Sequence, residues 1–527
     1  MSGRADFPIP TFGAALPSDD RRLADLANEA ERCRVALAAA PHDPRRHAAY
    51  GEMLHRLGQA QAAEPHLREA LRLRPDDAAT WSNLGLVLLD LGRAGEAESC
   101  ARTALRLQPA FADAHNALGM AHYAQGCVAE AENSFRGALR LAPEHPHALL
   151  NLGTALQSLD RLEEAHSCYV DALSAGAAPG KVLNNLGLLL QELGQLDEAE
   201  AVCRAALDQD PDRIEARVNL ALLLLARGDY VEGWRAYESR LLLPGAQTRR
   251  FLQPQWTGAT PPDGRTILLH AEQGFGDTLQ FCRYAPLLAA AGARVLLEVP
   301  PALVRLAKTL TGVAAVVTAG DPLPPFDLHC PLMSLPVAFG TTLDSIPHSL
   351  PYLQADPVQE ADWRQALAQV PGRRIGLVWA GSARLDHPHA AALDRRRSVS
   401  LAALAPLAAI PACSFISLQL GVAAAQPSPP GMQLHDPTAH LHDFADTAAV
   451  IAALDAVVSV DSAVAHLAGA MGKPVFLLNR FDTCWRWLHG RDDSPWYPTL
   501  RQFRQPARHD WATPITQLAQ ALADFQP

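Results

Sequence analysis

The sequence has no Cys-x-x-Cys pair, no stretch of eighteen apolar residues and no surplus of basic side chains. Each absence removes a class of function. The nine cysteines, from Cys33 to Cys484, are scattered with no compact His/Cys grouping, which speaks against a zinc site and for reduced, mostly buried thiols in a cytoplasmic protein. The most apolar helical segment, Leu401 to Ala412, is too short to span a bilayer. Met1 to Asp20 lacks the basic flank and apolar run of a signal peptide. A formal charge of -11 offers no field to draw in nucleic acid. What is plentiful is apolar residue, 49% of 527 positions, enough for several cores in a chain too long for one.

The first half repeats itself every 34 residues. Gly51, Gly85, Gly119, Gly153 and Gly187 form one series, with Ala221 in the sixth place. Ala63, Ala97, Ala131, Ala165 and Ala199 form a second, Ala70, Ala104, Ala138, Ala172 and Ala206 a third, and Pro75, Pro109, Pro143 and Pro211 close the units. Small residues let paired helices approach closely and the proline stops the second helix, so the period is identified as that of tetratricopeptide repeats (TPR), an all-α solenoid. Six units are expected over 42–245, with residues 1–41 as a tail and capping half-repeat. An asparagine recurs before the small residue, at Asn83, Asn151, Asn185 and Asn219. Such a ladder could hold the backbone of an extended protein acceptor, since an amide both donates and accepts. The competing reading is that it ties one repeat to the next.

After a short junction, 246–264, the pattern turns to alternating strands and helices, which implies parallel sheets flanked by helices. Two Rossmann-like domains are expected, over 265–365 and 366–527, the latter ending in a helix, Ile515 to Phe525, that crosses back to brace the first. Helix 229–240, with Trp234 and Tyr237, is amphipathic and should pack on the α/β half. The turn Gly274-Phe275-Gly276-Asp277 follows the first strand but lacks the third glycine of a dinucleotide fingerprint, so an NAD enzyme is not expected. Asp277 either lies at the mouth of a polar site or merely caps its helix. At Val458 to His466 a strand ends in Asp461-Ser462-Ala463 and a helix begins, a geometry that can hold an anion, with His466 on the first turn. The segment Gly381 to Leu401 reads as a long polar loop after a strand ending Trp379-Ala380-Gly381-Ser382. Its Arg395-Arg396-Arg397 could fork onto a diphosphate or could be a solvent-facing run. For Trp485-Arg486-Trp487 with Trp496-Tyr497, stacking on a base or sugar and packing between domains are both open.

Taken in order, Glu272 to Asp277, Gly376 to Ser382, Arg395 to Ser398 and Val460 to His466 resemble the two-domain GT-B glycosyltransferases of the heptosyltransferase-like group. The repeats before them resemble the architecture of the O-linked N-acetylglucosamine transferases. The resemblance implies a nucleotide-sugar donor used as substrate, no resident cofactor or metal, and a protein or peptide acceptor recruited by the repeats. It implies that Asp277 and His466 are catalytic, and that Gly274, Gly276, Ser382, Arg395, Arg396, Arg397, Asp461, Ser462 and Ala463 surround the donor. Ala463 stands where the family element has glycine. No Asp-x-Asp pair occurs in the α/β half, so metal is not demanded for the leaving diphosphate. A TPR adaptor with a catalytically inactive transferase domain, and a sugar-nucleotide enzyme that is not a transferase, are the competing functions.

Overall fold

The computed structural model describes residues 19–243, 249, 251–382 and 388–526. Most of the tail, part of the junction, and residues 383–387 of the segment before the arginines lie outside the described residues. The chain divides into two compact units: Met1–Ala216 with Ala383–Leu393, and Arg217–Ser382 with Asp394–Pro527.

In the first unit helix Asp19–Ala39 precedes antiparallel-neighbour pairs such as Pro44–Arg56 with Ala60–Leu73 and Pro146–Ser158 with Leu162–Ser174. The glycine series explains the pairing physically. A methyl group on Gly119 would come within 2.5 Å of the Phe135 ring, and one on Gly153 within 2.5 Å of the Tyr169 ring, sixteen residues further on in each case. The small residue on one helix is the socket for the large one on its mate. Between the helices of successive pairs the chain turns through the left-handed region at Gly58, Gly92, Gly126 and Gly194, and at the equivalent Asp160 with φ 66°. Aspartate is among the few side chains that tolerate that conformation.

The second unit holds two parallel sheets. Strands β1 (Thr266–His270), β2 (Arg294–Val299), β3 (Val313–Thr318) and β4 (Leu328–Pro331) form the first, in the order β3-β2-β1-β4. Strands β5 (Arg373–Val378), β6 (Cys413–Ser417), β7 (Leu434–His435), β8 (Ala456–Val460), β9 (Val475–Asn479) and β10 (Leu500–Arg504) form the second, in the order β10-β9-β8-β5-β6-β7. All pairings within both sheets are parallel. Ile267, Leu268 and Leu269 are fully buried on β1, as near-continuous apolar runs of parallel strands require.

Two expectations are corrected. The final helix, Ala512–Asp524, does not return to the first sheet: Ile515, Leu518 and Leu522 enter the core of the second, and Arg373 on β5 donates to Leu522 O at 2.8 Å. The segment carrying the arginines is not simply a loop, since Pro388–Arg397 is a helix with the three arginines in its last turn, where cations oppose the negative end of the helix dipole. The span Leu401–Ala409 is helical as expected, in the 3-10 form, with Pro406 inside it. Helix Tyr230–Tyr237 packs as expected, with Trp234 buried at 2% exposure against Phe281, Trp485 and Trp496.

Candidate functional site

In the second sheet β5 and β8 are neighbours at the point where chain order reverses, and the crevice beyond their carboxyl ends is where open α/β sheets bind ligands. Trp379 to Ser382 leave β5 there, and Asp461 to Ala463 leave β8. Ser462 caps helix Ala463–Ala470 without a side-chain hydrogen bond of its own to the helix, its hydroxyl lying 2.8 Å from Ser459 Oγ. In the first sheet the equivalent turn follows β1. Gly274 caps helix Phe275–Phe281, and the Asp277 carboxylate accepts from Gly274 N at 3.1 Å.

These two helix starts meet. A methyl group on Gly276 would sit 2.9 Å from His466 Cδ2 and 3.8 Å from Ala463 Cα, so the absence of a side chain at 276 is what allows the approach. His466 is 3% exposed, its Nδ1 lies 3.0 Å from the Tyr497 hydroxyl, and its ring stacks on Trp487 at 4.9 Å and 21°. Burial pushes its pKa down to about 3, so the ring is neutral at physiological pH. Asp277, Gly276 and Gly274 on one side, and Asp461, Ser462, Ala463 and His466 on the other, therefore share one site.

Asp461 accepts from Trp487 Nε1 at 2.9 Å. Burial alone would raise its carboxyl, but Arg397 foremost, with Arg480 and the indole hydrogen bond, holds it below the usual carboxylate range. Asp277 forms an ion pair with Arg486, which is buried; that burial disfavours the guanidinium charge, and Asp277, with Cys484 and Tyr237, more than offsets it and holds the arginine charged. The arginine run is divided by the fold. Arg395 is exposed, Arg396 Nε lies 3.2 Å from Asp482 with both side chains under 10% exposed, and Arg397 pairs with Asp394 at 2.8 Å. The run is thus not the uniformly solvent-facing cluster that was one of its two readings. A methyl group on Gly381 would fall 2.3 Å from Asp394 Oδ1 and 2.4 Å from Arg397 Nε, so a side chain there would displace that ion pair. Ser382 is exposed beside it.

The tryptophans resolve in favour of packing. Trp485 lies against Trp234, Trp496 donates to the Tyr230 hydroxyl at 2.9 Å, and Trp487 and Tyr497 enclose His466. Sequence reasoning missed Arg480 and Asp482 just after β9, and it named the stretches holding Arg486 and Tyr497 without giving those two side chains their part in holding the site. An arginine between two tryptophans directly after a buried strand was the available signal. The asparagine ladder is partly engaged within the solenoid, Asn151 donating to Asn116 Oδ1 at 2.9 Å and Asn185 to Thr154 Oγ1 at 3.2 Å. Asn83 is half-buried, whereas Asn219 is 9% exposed. Among the described residues no group of three or more His, Cys, Asp or Glu is gathered as a metal would require, and no helix is long and apolar enough to cross a membrane.

Comparison with known proteins agrees with this division. Residues 45–110, 82–146, 117–181 and 190–233 match tetratricopeptide-repeat families, and residues 441–480, which carry Asp461 to His466, match glycosyltransferase family 9 (heptosyltransferase). The chain therefore combines TPR repeats with a glycosyltransferase-like segment. It is 29% identical over 339 residues to Protein FlbA of Caulobacter vibrioides, an alignment covering 58% of this chain and 54% of FlbA, so the chain spans about half the length of that relative. Among solved structures it is similar to a thermophilic TPR protein of Thermus thermophilus, TTC0263, at 25% identity and TM-score 0.33 over 34% of this chain and 99% of that one. PilF of Pseudomonas aeruginosa is similar at 20% identity and TM-score 0.31, over 38% and 94% respectively.

Proposed function

We propose that the protein is a cytoplasmic glycosyltransferase that moves a sugar from a nucleotide-sugar donor to a protein or peptide acceptor recruited by its repeats. The observation that carries this reading is the meeting of the turn at Gly274–Asp277 with the turn at Asp461–His466, the second of which lies in a segment similar to a glycosyltransferase family. On this reading the two parallel sheets are the two Rossmann-like domains of a GT-B enzyme, with the donor against the second. An acceptor hydroxyl or amide nitrogen attacks the anomeric carbon, the bond from that carbon to the diphosphate oxygen breaks, and the nucleoside diphosphate leaves with the electron pair. Arg397, Arg480 and the free N–H groups after Ser462 stabilise the charge that develops on it, which is where preorganised dipoles contribute most to rate. That set supplies positive charge without calling on a metal. The acceptor's proton passes to the Asp277–His466 side of the site. His466, neutral and oriented by Tyr497, is suited to hydrogen-bonding the donor, and Asp277 is assigned as the base.

A second reading, an inactive adaptor, draws on one specific observation: both Asp277 oxygens are already engaged, one by Arg486 and the other by Gly274 N. The two readings separate in a screen of the full chain with UDP-, GDP- and CMP-sugars and a cell lysate, followed by mass spectrometry. Transfer predicts one donor whose sugar mass appears on a protein acceptor, with matching nucleotide release. The transferase reading fails if no donor is consumed and no nucleoside diphosphate at millimolar concentration raises the melting temperature.

A further inference from the structure

A single turn touches Asp277, Asp461 and His466. The 3-10 turn Trp485–Trp487 follows β9. Its Arg486 pairs with Asp277 from the first sheet. Its Trp487 is fully buried, donates to Asp461 at 2.9 Å and stacks on His466. The turn is stapled from beneath, because Gln502 on β10 donates from Nε2 to Trp487 O at 2.8 Å. Leu488, directly after it, has φ 55° and ψ 163°, a backbone region open to glycine and costly for a branched side chain. Such a conformation persists only where the surroundings over-determine it.

The other end of the turn faces helix Tyr230–Tyr237, within which the last repeat match ends. Trp485 meets Trp234 edge-on at 5.2 Å and Tyr237 at 6.2 Å, while the Arg486 guanidinium lies over the Trp485 ring at 4.2 Å. The same helix and its continuation reach the first-sheet turn by a separate route. Gln273 donates to the Tyr237 hydroxyl at 3.3 Å, and Arg240 pairs with Glu272 at 2.7 Å with both side chains under 10% exposed. Helix Tyr230–Tyr237 therefore underlies both halves of the site, although none of its side chains is a candidate ligand for substrate.

We propose that Trp485–Arg486–Trp487 is a positioning clamp that presents Asp277, Asp461 and His466 to one another, and that helix Tyr230–Tyr237 sets the clamp through Trp234. This rests on the glycosyltransferase reading only for its catalytic consequence; the mechanical coupling stands on the contacts. Arg486 and Trp487 act through other residues, so the test must see more than lost activity.

Amide hydrogen exchange on the full chain supplies that readout. Trp234 reaches the two turns through Trp485, so Trp234→Leu should raise exchange in both 274–277 and 461–466, roughly fivefold or more, the scale of one lost protein hydrogen bond. Trp487→Phe keeps the stack on His466 and loses the indole N–H, and should raise exchange in 461–466 alone. Faster exchange confined to 230–242 in the first variant overturns the coupling. If Trp234→Leu does not fold, Arg486→Met and Arg486→Lys decide: the methionine variant should loosen 274–277 while the lysine, keeping the charge, largely restores it. Equal exchange in the two variants overturns the clamp. Where a nucleotide sugar is turned over, Arg486→Met should lower kcat about tenfold or more with KM little changed, because a misplaced base acts on the chemical step. A rise in KM alone would count against positioning. If no nucleotide sugar is consumed, the transferase reading falls and the exchange measurements still decide the clamp.

Discussion

The two glycines of the first turn differ in what surrounds them, and that difference makes a sharp test. Gly274 has φ -66° and ψ 169°, open to any residue, and a methyl group there would meet only Asp277 Oδ2 at an ordinary 3.4 Å. At Gly276 the methyl group would lie 2.9 Å from His466 Cδ2, where unstrained carbon pairs sit about 3.5 to 4.0 Å apart. The ring or the helix must yield by roughly half an ångström or more. The ring cannot yield easily, being stacked on Trp487 and tied to Tyr497. Gly274→Ala should therefore be close to neutral, since a less favourable helix cap of about 0.5–1 kcal/mol is offset by the reduced freedom of the unfolded chain. Gly276→Ala gains up to about 1 kcal/mol in helix propensity but incurs an overpacking cost of about 1–3 kcal/mol, leaving a net loss of about 1 kcal/mol. For a unit of this size that lowers the melting temperature by only a few degrees. Activity should suffer more, by roughly ten- to a hundredfold, because catalysis is sensitive to displacements well under 1 Å. Melting curves and donor turnover on both variants supply the measurement. Equal behaviour of the two glycine variants would refute the idea that Gly276 is there to bring the two turns together.

Stability should also fall with acid through three buried histidines. Burial pushes His270 and His466 down to about 3 and His489 to about 4, whereas each binds a proton near pH 6.5 when unfolded. The unfolded chain takes up the protons first, so their contribution is intact above about pH 6.5 and is lost as pH falls from there toward 4. Each costs roughly 1 kcal/mol by pH 5.5, readable as a falling urea midpoint between pH 7.5 and 5.5, and His489→Gln should flatten the fall; a midpoint constant over that range contradicts the burial argument. The arginines should separate in the same assay. Arg395→Gln should change stability by no more than about 0.5 kcal/mol, whereas Arg396→Gln strands the buried Asp482 with Arg480 as its remaining partner and should cost about 1–3 kcal/mol. Equal melting temperatures would return Arg396 to the surface.

The repeats were legible because their signal is redundant: each glycine socket recurs five times, and a period of 34 is read from any two of its series. The parallel sheets were legible because buried strands such as Thr266–His270 and Ala456–Val460 are near-continuous apolar runs. What escaped had weaker chemistry. Strand β7 is two residues long, Leu434–His435, too short for any periodicity, and β10, Leu500–Arg504, alternates arginine and glutamine with its apolar residues. The final helix was legible as a helix but not its destination, because an apolar face at 515, 518 and 522 says that a sheet is covered without saying which one.

At the site the same division holds. Glycines and aspartates at strand ends were legible because the fold demands small and polar residues where a strand turns into a helix. Their partners were not, because a partner is defined by proximity across the fold. Asp277 and Arg486 are 209 positions apart, and Arg240 and Glu272 belong to different elements. Arg396 and Arg397 were legible as cations yet not as half-buried ones, since burial of an arginine depends on whether a carboxylate such as Asp482 or Asp394 waits at the other end. The tryptophans carry the point furthest. An indole placed after a β-strand fits ligand stacking and core packing equally well on chemistry alone, and contact decides between them. Here contact makes Trp487 a support for His466 and Asp461, so an aromatic residue that reads as a binding surface in the sequence bears on function by holding the groups that bind.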